Sequence, residues 1–180
     1  MIIIVGASAS GKTEITKVLI NKYNYHKCVT TTTREPRVGE VDGRDYHFLP
    51  LHIFLERVNN DEFVEFNEYR DNYYGIQKKD ITDDAVVILE PHGANELLEQ
   101  LGDQIFLVLV ESSLEKRQER MIARGDNLEE VLKRLAQDDE LFNKDKLLKV
   151  DLLIHNDQQT LEELATLIHT NYKNFQKNQK

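Results

Sequence analysis

The chain has 180 residues, 40% hydrophobic and 31% charged, enough for one compact α/β domain with a sizeable core and a small inserted lobe. Its formal net charge of −9 argues against nucleic acid or an anionic membrane as a partner, so an anionic ligand needs a local basic cluster. The single cysteine, Cys28, excludes an internal disulfide; "MIIIV" has neither the length nor the basic flank of a secretory leader, and a cytoplasmic protein is expected.

In chain order, "MIIIV" is the first buried strand, and "GASASGKT" (Gly6 to Thr13) follows it directly. The spacing Gly6-x-x-x-x-Gly11-Lys12-Thr13 is that of a loop that cradles phosphates with successive backbone N–H groups. Glycine permits the close approach, and small side chains at Ala7, Ser8, Ala9 and Ser10 leave room for the ligand. Lys12 would reach the outer phosphates of ATP or GTP, and the Thr13 hydroxyl would ligate Mg²⁺. A helix over about residues 11–23 adds its positive dipole end.

From Val29 to about Asp80 the strand–helix rhythm breaks. "TTTREPRVGEVDGRDYHF" is followed by an amphipathic helix near Leu51–Val58 and by "EFVEFNEYRDNYYG", which alternates apolar and polar residues as half-exposed antiparallel strands do. This stretch is expected to be an inserted β-rich lobe over about 30–80. Arg34 and Arg37 flank a proline there, and two guanidinium forks on a pinned loop suit a monophosphate dianion, with Tyr46 and Tyr74 completing the shell. The alternative from spacing alone is a solvated hairpin with surface ion pairs to Glu35 or Glu40.

The rhythm then resumes, with strands at "AVVIL" (85–89), "IFLVLV" (105–110) and "DLLIH" (151–155) and helices over about 93–101, 113–124 and 160–172. Continuous apolar strands alternating with helices predict a three-layer α/β fold with a parallel sheet covered on both faces. The charged segment from Arg124 to about Lys149 is expected to form a helical lid and then a long solvated helix, and the polar tail "NYKNFQKNQK" to fray.

The stretches "GASASGKT", "TTTREPRVGEVDGRDYHF", "EFVEFNEYRDNYYG", "RMIARGDNLEEVLKRL" and "IHND" together resemble guanylate kinase over nearly the whole length. The resemblance implies a core (residues 1–29 and 81–180), a nucleoside-monophosphate lobe (about 30–80) and a lid (about 121–134). It implies Mg·ATP and GMP (with dGMP) as substrates, with ADP and GDP as products of the GMP reaction, in a monomer or homodimer. By that resemblance Arg34, Arg37, Tyr46 and Tyr74 grip the acceptor phosphate, and Glu65 and Thr30 read the guanine. Asn156 lies near the adenine of ATP, and Arg120, Arg124 and Arg134 close over the transferring phosphate.

Three departures stand out. Where the family has "YYGT" or "YYGS" this chain has "YYGI", so Ile76 lacks the hydroxyl that contacts the base. "ILEPHG" replaces "DIDxQG", leaving Glu90 as the acid able to contact the acceptor or hold Mg²⁺, with His92 a strand-end polar residue. Arg124 and Arg134 stand one residue closer than the family's spacing, a change that turns a helical side chain by about 100°. Machinery for moving phosphate is kept, while machinery for reading guanine is eroded. The alternatives are a divergent kinase acting on another small phosphorylated acceptor (a modified nucleotide or a sugar phosphate) and a non-catalytic guanylate-kinase-like binding module.

Overall fold

The computed structural model describes residues 1–69 and 71–179, so Arg70 of the alternating stretch and Lys180 of the tail lie outside the described residues. In chain order the elements are β1 (Ile2–Val5), α1 (Lys12–Tyr23), β2 (His26–Lys27), β3 (Thr31–Thr32), β4 (His47–Phe48), α2 (Leu51–Asn59), β5 (Phe63–Tyr69) and β6 (Asn72–Gln77). There follow β7 (Ala85–Ile88), α3 (Pro91–Leu101), β8 (Phe106–Glu111), α4 (Leu114–Ala123), α5 (Leu128–Leu141), β9 (Leu152–His155) and α6 (Leu161–Asn178). They fall into two compact units: residues 26–87 with Met1, and residues 2–25 with 88–180.

In the larger unit β1 pairs in parallel with β8 (Ile2 opposite Phe106) and β8 with β9 (Val108 opposite Leu152). All four residues of β1 are buried, so both faces of the strand are covered, as the continuous apolar run predicts. Ile15 and Leu19 of α1 are fully buried, as are Leu164, Ala165 and Ile168 of α6. These elements fix the carboxyl end of β1, where the glycine-spaced loop from Gly6 leaves the sheet.

In the smaller unit β2 and β7 pair in parallel, and a four-stranded sheet runs in the order β4–β3–β6–β5. Its β5–β6 hairpin is antiparallel, as the alternating residues predict, with a register irregularity between Phe63 and Glu65. Phe54 of α2 is fully buried and stacks on Phe63 with ring centroids 4.5 Å apart. Cys28 is buried, and desolvation, with Asp80 and Glu65 adding to it, pushes its thiol up to about 12, which leaves it unreactive at neutral pH.

Two expectations are corrected. The tail does not fray: α6 continues to Asn178, because Phe175 packs against Phe106 and Tyr172 at centroid distances of 5.2 and 6.1 Å. Nor does one long helix run on to Lys149. Helix α5 stops at Leu141, and Asn143 caps a 3-10 turn over Lys144–Lys146 by accepting from the Asp145 amide.

Candidate functional site

The glycine-spaced loop that begins at Gly6 joins β1 to α1 in the larger unit. Gly6 is pressed so close to β8 that a Cβ there would lie 2.3 Å from the Val110 carbonyl oxygen, and Gly11, at φ 100°, has Asn156 Nδ2 where a Cβ would stand. No other residue type fits either position without displacing backbone or a buried amide. The turn is closed by Ser10 N–H donating to the Ala7 carbonyl at 3.2 Å. Gly11 caps α1 without a side chain, so the amides of the first helical turn, Lys12 and Thr13 among them, have no intrahelical acceptor, the arrangement with which helix starts receive anions.

Lys12 folds back over this turn, its Nζ donating to the carbonyls of Gly6 (2.5 Å) and Ala7 (2.8 Å). Burial lowers its pKa to about 8; Asp138 and Glu90 oppose that shift and Arg117 adds to it. Lys12 lines a cavity of about 300 Å³ with Ala9, Gly11, Thr13, Glu14, Arg120 and Arg124. Two pH effects of opposite sign follow for the nucleotide-free protein. From about pH 8 up to the ordinary lysine value of 10.5, the unfolded chain binds the proton that the native state has lost, so Lys12's contribution to stability rises with pH. The same deprotonation removes the positive charge this turn offers an anion, so affinity for an added nucleoside triphosphate should fall above about pH 8. Denaturant unfolding and equilibrium titration with a nucleoside triphosphate over pH 6.5–10 check both limbs. Lys12→Met should abolish both.

Arg120, Arg124 and Arg134 take different partners. Arg120 donates to the Ala9 carbonyl (3.1 Å), Ser112 Oγ (3.1 Å) and the Asn156 carbonyl (2.7 Å), so it braces the loop. Arg124 and Arg134 converge on one carboxylate: Asp126 Oδ2 is 2.5 Å from Arg124 and 3.5 Å from Arg134. The shortened spacing does not throw Arg134 away, because the two arginines are not on one continuous helix. Arg124 caps α4, Arg134 lies on α5, and the Gly125–Asn127 turn between them sets the direction afresh. Asn156 is buried, its Nδ2 donating to the Ser10 carbonyl at 2.8 Å, so its side chain supports the loop from beneath. Glu90 is exposed at the start of α3, directly before Pro91, while His92 is a surface residue 3.5 Å from Glu96.

In the smaller unit Arg34 stands at the centre of the basic loop. Its guanidinium lies over the rings of Tyr46 and Phe48, 5.5 and 5.7 Å from their centroids, and Tyr46 meets Tyr74 edge-on at 6.3 Å. Its Nη2 is 2.9 Å from both carboxylate oxygens of Glu40, and Glu40 also accepts from the Arg37 amide at 2.7 Å. Those contacts, the Arg37 amide first, hold the Glu40 carboxyl below its ordinary range. The ion pair open from spacing alone is thus formed, and Glu40 presents to the arginine fork the oxygens that a phosphate would present. Arg37 itself is exposed. Thr30 is half-buried, its carbonyl accepting from the His47 amide, and Glu65 on β5 stands opposite Ile76 on β6. Ile76 is fully buried, so an alkyl group packed into the sheet occupies the position where a hydroxyl was expected.

Three side chains of this architecture escaped the sequence: Arg117, Asp126 and Asp138. Asp126 and Asp138 lie in the charged run that reads as lid and solvated helix, Arg117 in a helix expected to cover the sheet, and only their long-range or cross-turn pairing singles them out.

The sequence profile of the family described as guanylate kinase matches residues 1–171. A guanylate kinase of Clostridium perfringens (strain SM101) is 36% identical over 139 residues, 73% of this chain and 64% of that relative; the chain thus spans under two thirds of its length. A guanylate kinase of Caldanaerobacter subterraneus subsp. tengcongensis is 31% identical over 178 residues, 93% of this chain and 85% of the relative. The crystal structure of guanylate kinase from Anaplasma phagocytophilum shares the fold at a TM-score of 0.59 and 22% identity, covering 96% of this chain and 84% of that one. A glycine-spaced loop built on a parallel α/β core and a family match that runs over residues 1–171 lead to one assignment: the chain belongs to the guanylate kinase family.

Proposed function

We propose that the chain transfers the γ-phosphoryl group of ATP to GMP, and to dGMP, giving ADP and the nucleoside diphosphate. The observation that carries this reading is Lys12, held by two loop carbonyls beside the open amides of α1. The core (1–29 and 81–180) would hold the donor, the lobe (about 30–80) the acceptor, and the segment 121–134 would act as lid. Substrates come from the cytoplasmic nucleotide pool, and the protein acts as a monomer or homodimer without a nucleic-acid or membrane partner.

Phosphoryl transfer requires positioning and positive charge around the equatorial oxygens more than covalent help. Lys12 supplies a fixed charge. Arg124 and Arg134, gathered by one surface carboxylate, can exchange it for phosphate oxygens, and lid closure excludes water. The acceptor phosphate is already an anion, so no general base is required. Mg²⁺, when bound, neutralises charge on the outer phosphates. The exposed Thr13 hydroxyl on the cavity wall and the exposed Glu90 carboxylate are hard oxygen donors suited to it. Among the described residues no three His, Cys, Asp or Glu side chains form a metal cage, and Mg²⁺ held on substrate phosphates does not need one.

The buried Ile76 supports a second reading, a kinase for another small phosphorylated acceptor. Loss of one base contact weakens discrimination rather than binding of phosphate. GMP and dGMP should remain the preferred monophosphates, with poorer discrimination against AMP than a complete base site gives. Ile76→Thr should recover about 1 kcal/mol, near fivefold in kcat/KM; Ile76→Ser should recover less, since it also leaves a cavity. A coupled ADP-release assay with GMP, dGMP, AMP and IMP checks both. A protein that binds ATP yet phosphorylates no purine monophosphate belongs to the second reading.

A further inference from the structure

Behind the phosphate loop lies a buried ion pair that none of the roles above uses. Arg117 of α4 is 4% exposed and Asp138 of α5 is 8% exposed. Arg117 Nη2 donates to Asp138 Oδ2 at 3.0 Å, and Arg117 Nε donates to the Ser8 carbonyl at 3.0 Å. The ring closes through the loop itself, because the Ser8 amide donates to the same Asp138 Oδ2 at 2.6 Å. Ser8 is thus held through both its N–H and its C=O, from two different helices.

We propose that Asp138, oriented by Arg117, is a positioning residue that fixes the Ser8 peptide and with it the shape of the triphosphate-binding loop. The proposal rests on the reading that this loop binds a nucleoside triphosphate. Ser8 lies between the carbonyls that hold Lys12 (Gly6 and Ala7) and Ala9, whose φ of 59° is left-handed without glycine. A loop strained at that point keeps its conformation only if the surroundings over-determine it. A charged, buried acceptor on one side and a guanidinium on the other do so more strongly than neutral groups would. Asp138 takes an amide that precedes the helical turn, so the amides of Lys12 and Thr13 stay available to phosphate. Because α5 also carries Arg134, the clamp ties the loop to the helix that bears a lid arginine.

The opposing possibility is that Asp138 competes with phosphate for the loop. Binding separates the two with the full chain. Mg·ATP affinity is measured by displacement of a fluorescent ATP analogue well below the melting temperature, alongside Tm and the KM for GMP. Asp138→Ala should weaken Mg·ATP about tenfold and leave the KM for GMP within about twofold. Asp138→Asn keeps an acceptor oxygen for the Ser8 amide and should restore affinity to within about threefold of wild type. Arg117→Lys loses the fork that holds the Ser8 carbonyl and should weaken Mg·ATP by an intermediate factor.

Removing the carboxylate leaves a buried guanidinium uncompensated; should Asp138→Ala fail to fold, Asp138→Asn, Arg117→Lys and amide hydrogen exchange decide. The Ser8 amide should exchange slowly in the wild type and faster in Arg117→Lys. Tighter ATP binding in Asp138→Ala overturns the proposal in favour of competition. Unchanged ATP binding in the variants, or a fall in Tm without any change in affinity, overturns it in favour of a purely structural pair. A wild type that does not bind Mg·ATP removes the nucleotide reading itself, a result distinct from any of these.

Discussion

Lys12→Ala should leave the chain folded and lower kcat by about three orders of magnitude, the scale on which removing a preorganised charge from a transition state acts. The ammonium is fixed by the Gly6 and Ala7 carbonyls before any ligand arrives, so its alignment costs little reorganisation during the reaction. Stability should move little, since truncation removes two hydrogen bonds to carbonyls but also a partly desolvated charge. The lowering of the Lys12 pKa to about 8 shows that this charge is disfavoured in the nucleotide-free protein. Lys12→Met, which keeps the aliphatic packing, should match the alanine variant in kcat and the wild type in Tm. Measuring kcat at saturating ATP and GMP beside a melting curve checks this; either variant within tenfold of wild type removes the lysine from the chemistry.

The elements that local pattern governs were legible in the sequence. An all-apolar run of four, a glycine-spaced turn and a 3.6-residue repeat each have one economical structure, and β1, the loop and α1 follow within a residue or two. Strands β7, β8 and β9 were legible for the same reason. What local pattern could not carry was pairing at a distance. Arg117 and Asp138 are 21 residues apart, one in a helix expected to cover the sheet and the other in a run that reads as solvated, and their pairing comes from the packing of α4 and α5 on each other and on the Ser8 loop. Phe175 joins Tyr172 in an otherwise polar tail, and their contacts with Phe106 and with each other extend α6. The fate of Arg134 turned on a chain reversal at Gly125 rather than on rotation within one helix. In the basic loop the sequence left a phosphate site and a surface ion pair as alternatives. The structure contains the ion pair without excluding the phosphate site, because a carboxylate and a phosphate ask the same geometry of a guanidinium.

That shared geometry sets the expected behaviour of Arg34 and Arg37. Each alanine substitution should weaken acceptor binding by roughly 2–4 kcal/mol, about 30- to 700-fold in the KM for GMP, while ATP affinity changes by less than about threefold. The two losses should differ in origin. Arg37 is exposed, and among the described residues its bonds are made by its backbone, so Arg37→Ala removes an attraction and little else. Arg34 is clasped by Glu40 and stacked over Tyr46 and Phe48. Arg34→Ala therefore also frees a carboxylate beside the incoming dianion, and repulsion adds to the lost contact. Glu40→Gln in the Arg34→Ala background should relieve that repulsion and recover part of the loss, and no such recovery is expected in the Arg37→Ala background. The KM values of the three single and two double variants, with ATP affinity measured separately, give the coupling directly. Loss of ATP binding in Arg34→Ala or Arg37→Ala would show instead that the basic loop serves the donor, and recovery by Glu40→Gln in both backgrounds would show that Glu40 acts through the general field rather than through its bond to Arg34.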